Sequence, residues 1–138
     1  MVDVTLYHSI RNILNSLDEL AADGAPVCLA ITSSDGALAA LLRMPGVPGR
    51  IEHMAKGKAY TSAKMGCTTS ALHDRLSREN ITLADFMDPG MTSMPGGVPL
   101  IDKEGGILLG IGVSGRTAAE DEVLALRIRD MLQKDLNK

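Results

Sequence analysis

Leu6, Ile10, Ile13, Leu14, Leu17, Leu20 and Ala21 recur every three or four residues, which predicts an amphipathic helix near the start of the chain. Asp3 or Thr5 offers a side-chain cap at its beginning, and Gly24 and Pro26 end it. The period then changes to two. Val27, Leu29 and Ile31 alternate with Cys28, Ala30 and Thr32, Ser34-Asp35-Gly36 supplies a turn, and ALAALLR follows, so residues 26–43 read as a β-hairpin. Helices are predicted over 50–65 and 69–79, and Thr82-x-x-Asp85 caps a short third one. The run DPGMTSMPGGVP breaks both periods and predicts a long loop with room for one short strand. Loops of that length inside a small domain are often functional. VPLID and ILLGIGV flank the turn KEGG as a second hairpin, and the capping box Thr117-x-x-Glu120 opens a last helix ending near residue 136.

The resulting order, α-ββ-ααα-ββ-α, predicts an α+β fold in which helices pack on a central antiparallel sheet. Residues 1–138 read as one domain, without internal repeat or low-complexity tail. Gly110, Gly112 and Gly115 spell G-x-G-x-x-G between a strand and a helix, the spacing of a dinucleotide-binding turn. That chemistry needs a following parallel strand with an acid near its end, and the 23 residues after Gly115 are consumed by one helix. An NAD site is excluded on that ground. Gly110 and Gly112 instead strip one strand face of side chains, so that a helix, a neighbouring chain or a flat ligand can approach the backbone. Gly115 permits a left-handed turn before the capping box.

Composition narrows the picture. The 138 residues contain only two tyrosines and one phenylalanine, so Leu, Ile, Val, Ala and eight methionines must fill the core. A net charge of −3 with mixed signs argues against nucleic acid or an anionic membrane surface as partner. Cys28 and Cys67 lack a second cysteine or a histidine at zinc-ligand spacing and fit a reducing compartment. MVDVTLYHSI is not a signal-peptide pattern, and no apolar run reaches membrane-spanning length. A cytoplasmic protein is expected.

Several segments together resemble one family. KAYTSA, MPGGVPL, GILLGIGVSG, EDEVLA and the hairpin SSDGALAALLRMPG are similar in order and kind to the GlcG/HbpS-like proteins, which include PduO C-terminal domains. The likeness is greatest to the small OrfY-type members found with glycerol and diol utilisation genes. The resemblance covers nearly the whole chain. It implies a profilin-like α+β fold, homo-oligomers of dimer size or larger, and haem binding or haem degradation in some members. Association with cobalamin-dependent diol metabolism is implied for others, so a corrinoid is the alternative tetrapyrrole. Where members commonly carry Gln-Asp-Glu after the last turn, this chain has Glu120, Asp121 and Glu122.

Candidate site residues follow from both readings. Ile51, Met54, Ala55, Ser62 and Met65 form an apolar stripe with Lys58 in its middle, so Lys58 must snorkel, pair with Asp121 or Glu122, or hold an anionic ligand group. His53, Gly57, Tyr60 and Lys64 share another face of the same helix, where Gly57 opens a notch between an imidazole and a phenol. That face suits a haem, with His53 as iron ligand, or a subunit interface anchored by Tyr60. His8 is expected to face water, and the resemblance makes it the second haem-iron candidate, at an oligomer seam. His73 reads as a solvated residue. Gly96 and Gly97, beside Thr92 and Ser93, offer amides for a carboxylate or phosphate, or a plain turn. The candidate ligand contacts are thus Lys58, Tyr60, Thr61, Gly96, Gly97, Gly112 and Asp121. No histidine pair has metal-ligand spacing, no G-x-S-x-G elbow is present, and a catalytic set is not assigned. The sequence is read as a non-catalytic tetrapyrrole-binding or accessory protein of glycerol or diol metabolism. The alternatives are an oligomeric interaction protein without cofactor and a small-molecule enzyme using Lys58.

Overall fold

Alternation along 27–32 sends Val27, Leu29 and Ile31 to one side and Cys28, Ala30 and Thr32 to the other, and a layer of helix covers each side. The computed structural model describes residues 4–137. Its elements are α1 (Val4–Leu20), β1 (Cys28–Ser33), β2 (Leu38–Arg43), α2 (Gly49–Met65), α3 (Thr69–Glu79), a 3₁₀ turn (Leu83–Phe86), β3 (Gly97–Ile101), β4 (Ile107–Ser114) and α4 (Ala118–Leu136). The four strands form one antiparallel sheet in the order β2-β1-β4-β3. The α+β class and the element order are as the sequence predicts.

Two expectations change. α1 begins at Val4, so Thr5 lies inside the helix rather than at its cap, and Asp3 lies outside the described residues. The run over 88–99 is loop only as far as Gly96: Gly97, Val98 and Pro99 open β3, and no separate strand precedes them in the 87–96 loop. Its prolines and glycines give the backbone turns instead, and its amides bond to side chains: Thr92 N–H donates to Thr61 Oγ1 and Met94 N–H to Thr92 Oγ1.

One sheet face carries the main core. Ile10, Ile13 and Leu17 of α1 and Leu124, Ala125, Ile128 and Leu132 of α4 bury with Leu29, Ile31, Leu100 and Ile111. The other face takes α2, and here the glycines act. Gly112 pairs with Ala30 and Gly110 with Thr32 across the β1–β4 ladder. A Cβ on Gly110 would lie 2.1 Å from Ala59 O, and one on Gly112 would lie 2.1 Å from Ala55 O. The helix backbone therefore rests directly on the strand, as glycines on one strand face permit. Helix ends are set locally. Thr117 and Glu120 form the predicted capping box, Thr68 Oγ1 accepts from Ala71 N–H, and Gly66 closes α2 at φ 65°. Gly115, at φ 131°, makes the turn from β4 into α4.

Candidate functional site

Two groups of predicted residues lie on opposite sides of α2. The first is buried. Lys58 is 1% exposed, and its Nζ donates to Asp121 Oδ2 at 3.0 Å and to Val113 O at 2.9 Å. Of the two acids in the family-like segment, Asp121 takes the lysine, while Glu122 accepts from Ser70 Oγ. Asp121 Oδ1 also accepts from Arg116 N–H at 3.0 Å. Burial pushes the Asp121 carboxyl above its ordinary value, against the opposing pull of the Lys58 charge and hydrogen bond.

Gly96 and Gly97 close over this pair. Gly96 has φ 127°, and a Cβ there would lie 2.6 Å from Val113 O and 2.9 Å from Lys58 Nζ. Gly97 N–H is spent on Thr69 Oγ1 at 2.9 Å. Gly112 is covered by Ala55 and Ala59 of α2. These three glycines let main chain and lysine pack together, and each is buried.

The second group is open. His53, Met54, Lys56, Gly57 and Tyr60 of α2 form one wall of a cleft of about 470 Å³. Thr32, Gly36 and Leu38 of the first hairpin and residues 89–92 of the long loop complete it. The Tyr60 ring is held between two glycines: a Cβ would come within 2.8 Å of it from Gly36 and within 3.1 Å from Gly90. Its hydroxyl donates to Asp88 Oδ2 at 2.6 Å, while Asp88 Oδ1 accepts from Gly90 N–H. That hydrogen bond raises the Tyr60 phenol above its ordinary value and holds the Asp88 carboxyl below its own. Lys64 Nζ stands 5.8 Å from the Tyr60 ring centroid, in reach of a cation–π contact. Thr61 is buried beneath, donating to Gly57 O and accepting from Thr92 N–H, so it ties the loop to the helix.

His53, Gly57, Tyr60 and Lys64 thus share the face predicted for them, and the loop named by its length lies against that face. His53 is exposed at the cleft. His8 is exposed on α1, in the opposite helix layer, in edge-on contact with the Tyr7 ring, whose face is covered by Arg11. His73 is exposed on α3 near Asp74. Among the participants that escaped the sequence reading are Asp88, Leu38, Thr32 and Lys56. Asp88 looks like a turn residue, Leu38 and Thr32 like ordinary strand residues and Lys56 like a solvated one; only the fold brings the last three to the cleft and Asp88 to the hydroxyl of its Tyr60 wall. Among the described residues, no three His, Cys, Asp or Glu side chains converge as a metal site, and no helix is long and apolar enough to cross a membrane.

No protein of curated function matches the chain. Solved structures do. A double mutant of HbpS from Streptomyces reticuli superposes with a TM-score of 0.81 at 28% identity, over 96% of this chain and 88% of that one. A complex of PduOC with haem gives 0.79 at 22% identity, over 91% and 92%. The ORFY protein of Klebsiella pneumoniae gives 0.78 at 16% identity, over 96% and 90%. The two last likenesses establish fold alone. Residues 8–129 match the pattern of the family described as haem degrading protein HbpS-like, and the chain belongs to that HbpS-like family.

Proposed function

We propose that this protein is a non-catalytic, tetrapyrrole-binding accessory protein that seats haem in the cleft between α2 and the 87–96 loop. The observation that carries this reading is the cleft itself. Its volume of about 470 Å³ falls in the range of small-molecule sites. Leu38, Met54 and Met91 give it apolar walls, and His53, Tyr60 and Lys56 give it a nitrogen ligand, an aromatic wall and a cation. This donor set fits haem: His53 would hold the iron and Lys56 would meet a propionate. Bound haem would supply a redox-active iron whose behaviour depends on that axial ligand.

The family description and the haem complex of PduOC support the reading from outside the chain. The motif likeness to OrfY-type proteins supports a place in glycerol or diol metabolism, with a corrinoid as the alternative tetrapyrrole. Two free cysteines, Cys28 and Cys67, fit a reducing compartment such as the cytoplasm. A homo-oligomer belongs to the same proposal, and His8 would reach a haem only at a subunit seam. Chemistry at Lys58 has no support from its environment, because its ammonium is held by two partners at 1% exposure.

One observation favours the interaction-protein reading: β2 is an edge strand, and its Leu38 and Leu42 are 48% and 37% exposed. Apolar edges of this kind invite pairing with another chain. The deciding experiment is an absorbance titration of purified protein with haem, run beside cobalamin. A saturable Soret shift at one haem per subunit or subunit pair, lost in His53→Ala and kept in His8→Ala, is expected. No saturation with either ligand, together with assembly that persists in haem-free protein, would overturn the tetrapyrrole reading in favour of the second.

A further inference from the structure

Thr32 ends the inward-facing series Cys28, Ala30, Thr32 on the α2 side of β1, so it is the polar residue of an otherwise apolar row. It is 2% exposed and borders the cleft. Among the described residues, its Oγ1 is the buried side-chain oxygen or nitrogen that lacks a hydrogen-bond partner. The surroundings explain why. A Cβ on Gly110 would meet Thr32 Oγ1 at 2.7 Å and Ala63 Cβ at 2.9 Å, so the hydroxyl sits over a bare strand and beside an alanine of α2. Buried hydroxyls are ordinarily bonded, and an orphan one costs the fold stability without structural return. Valine would fill the same volume in a strand without that cost.

Resting on the cleft as the ligand site, we infer that Thr32 is a specificity-determining residue whose hydroxyl donates to an acceptor oxygen of the bound molecule. The ligand class this selects is a flat, largely apolar molecule carrying a carboxylate or carbonyl. Lys56 on the same cleft, half-exposed and paired with Glu52 at 3.4 Å, supplies a positive charge that a ligand carboxylate would share with that acid. Turning about χ1 between staggered wells lets the hydroxyl follow its acceptor. A site with a buried donor rejects ligands lacking the matching acceptor more strongly than an apolar wall does.

The test uses haem as probe, with wild type, Thr32→Val, Thr32→Ser and Gly57→Leu, each checked for fold by circular dichroism and for melting temperature without haem. Gly57→Leu fills the cleft from α2 and is expected to abolish binding. Thr32→Val is expected to weaken haem binding about tenfold, the worth of one hydrogen bond to a charged group. Its melting temperature should stay level or rise, since the orphan hydroxyl is gone. Thr32→Ser keeps the donor and should bind within about threefold of wild type. If Gly57→Leu abolishes binding but Thr32→Val binds as wild type does, the role of Thr32 is overturned and the cleft reading stands. Weaker binding by Thr32→Val with a lowered melting temperature assigns Thr32 to packing and also overturns it. If wild type does not saturate, or Gly57→Leu binds unchanged, the cleft reading fails and the inference falls with it.

Discussion

On one side of α2, Lys58 is shut between Asp121, the Val113 carbonyl and two glycines; on the other, Tyr60 stands between two glycines and reaches a carboxylate on the long 87–96 loop. Both sides pair a long side chain with an acid far away in sequence, and both use glycine to make room. They differ in what surrounds the pair. Lys58 and Asp121 are 1% and 2% exposed, with the Gly96–Gly97 backbone close against the lysine, so the charges depend on each other. Around Tyr60 the glycines border a cleft, and the acid keeps contact with water. The same helix therefore carries a structural bolt on one side and an adjustable wall on the other. A family-like motif that spans Lys58 and Tyr60 does not by itself say which residue meets a ligand.

Breaking the bolt should give the largest effect. Lys58→Met leaves Asp121 buried without its cation and is expected to cost about 3–5 kcal/mol in urea unfolding. Lys58→Met combined with Asp121→Leu removes both charges and should recover most of that loss. Haem binding by whatever fraction stays folded should be unchanged. Loss of haem binding at unchanged stability would move Lys58 to the ligand side of the comparison.

The glycines sharpen the same contrast at smaller magnitude. Gly112→Ala places a Cβ 2.1 Å from Ala55 O and 2.6 Å from Ala59 N, so the helix must lift from the sheet. A loss of about 3 kcal/mol is expected. Gly57→Ala meets nothing nearer than Thr92 Cγ2 at 3.5 Å. There the substitution should stabilise the apo-protein by about 0.5–1 kcal/mol, since glycine is costly inside a helix. The same methyl narrows the cleft, so haem affinity should fall while the melting temperature rises. Equal destabilisation by both substitutions would mean that Gly57 is a packing glycine too.

How far the sequence shows this depends on whether the signal is local. Period and punctuation give the element order, because each strand and helix buries one face and ends at its own turn. Gly110 and Gly112 are legible as a bare strand face because i and i+2 share a side of a strand. Lys58 is legible as an anomaly because it interrupts an apolar stripe, and His53, Gly57 and Tyr60 because they share a helix face. The choice of Asp121 over Glu122 is not legible, since both lie in the first turns of α4 and only the tertiary approach of β4 decides between them. The Gly96–Gly97 cradle fails to appear for a similar reason. Its amide finds Thr69, 28 residues away, instead of an anion. Thr32 is the least visible of all, because threonine is an ordinary strand former and a missing partner is a property of three dimensions.

The smallest effect is expected from titrating the adjustable wall. Asp88 has its carboxyl held below the ordinary value of 3.8 by the Tyr60 hydroxyl first and the Gly90 amide second. Its contribution is therefore present above pH 3.8 and is lost as the pH falls through the lower folded value. Tyr60 is shifted the other way, above 10.0, chiefly by its bond to Asp88. Its contribution is present below pH 10.0 and is lost as the pH rises through the higher folded value. The contact should thus hold the loop across the whole neutral range and release it at both ends. With two tyrosines in the chain, Tyr7→Phe leaves Tyr60 as the one phenol to follow by tyrosinate absorbance. Its midpoint should lie above 10.0 and fall back in Tyr7→Phe/Asp88→Asn, where no carboxylate opposes ionisation. If both proteins titrate alike, Asp88 does not hold Tyr60 in solution, and the wall of the cleft is set by the two glycines alone.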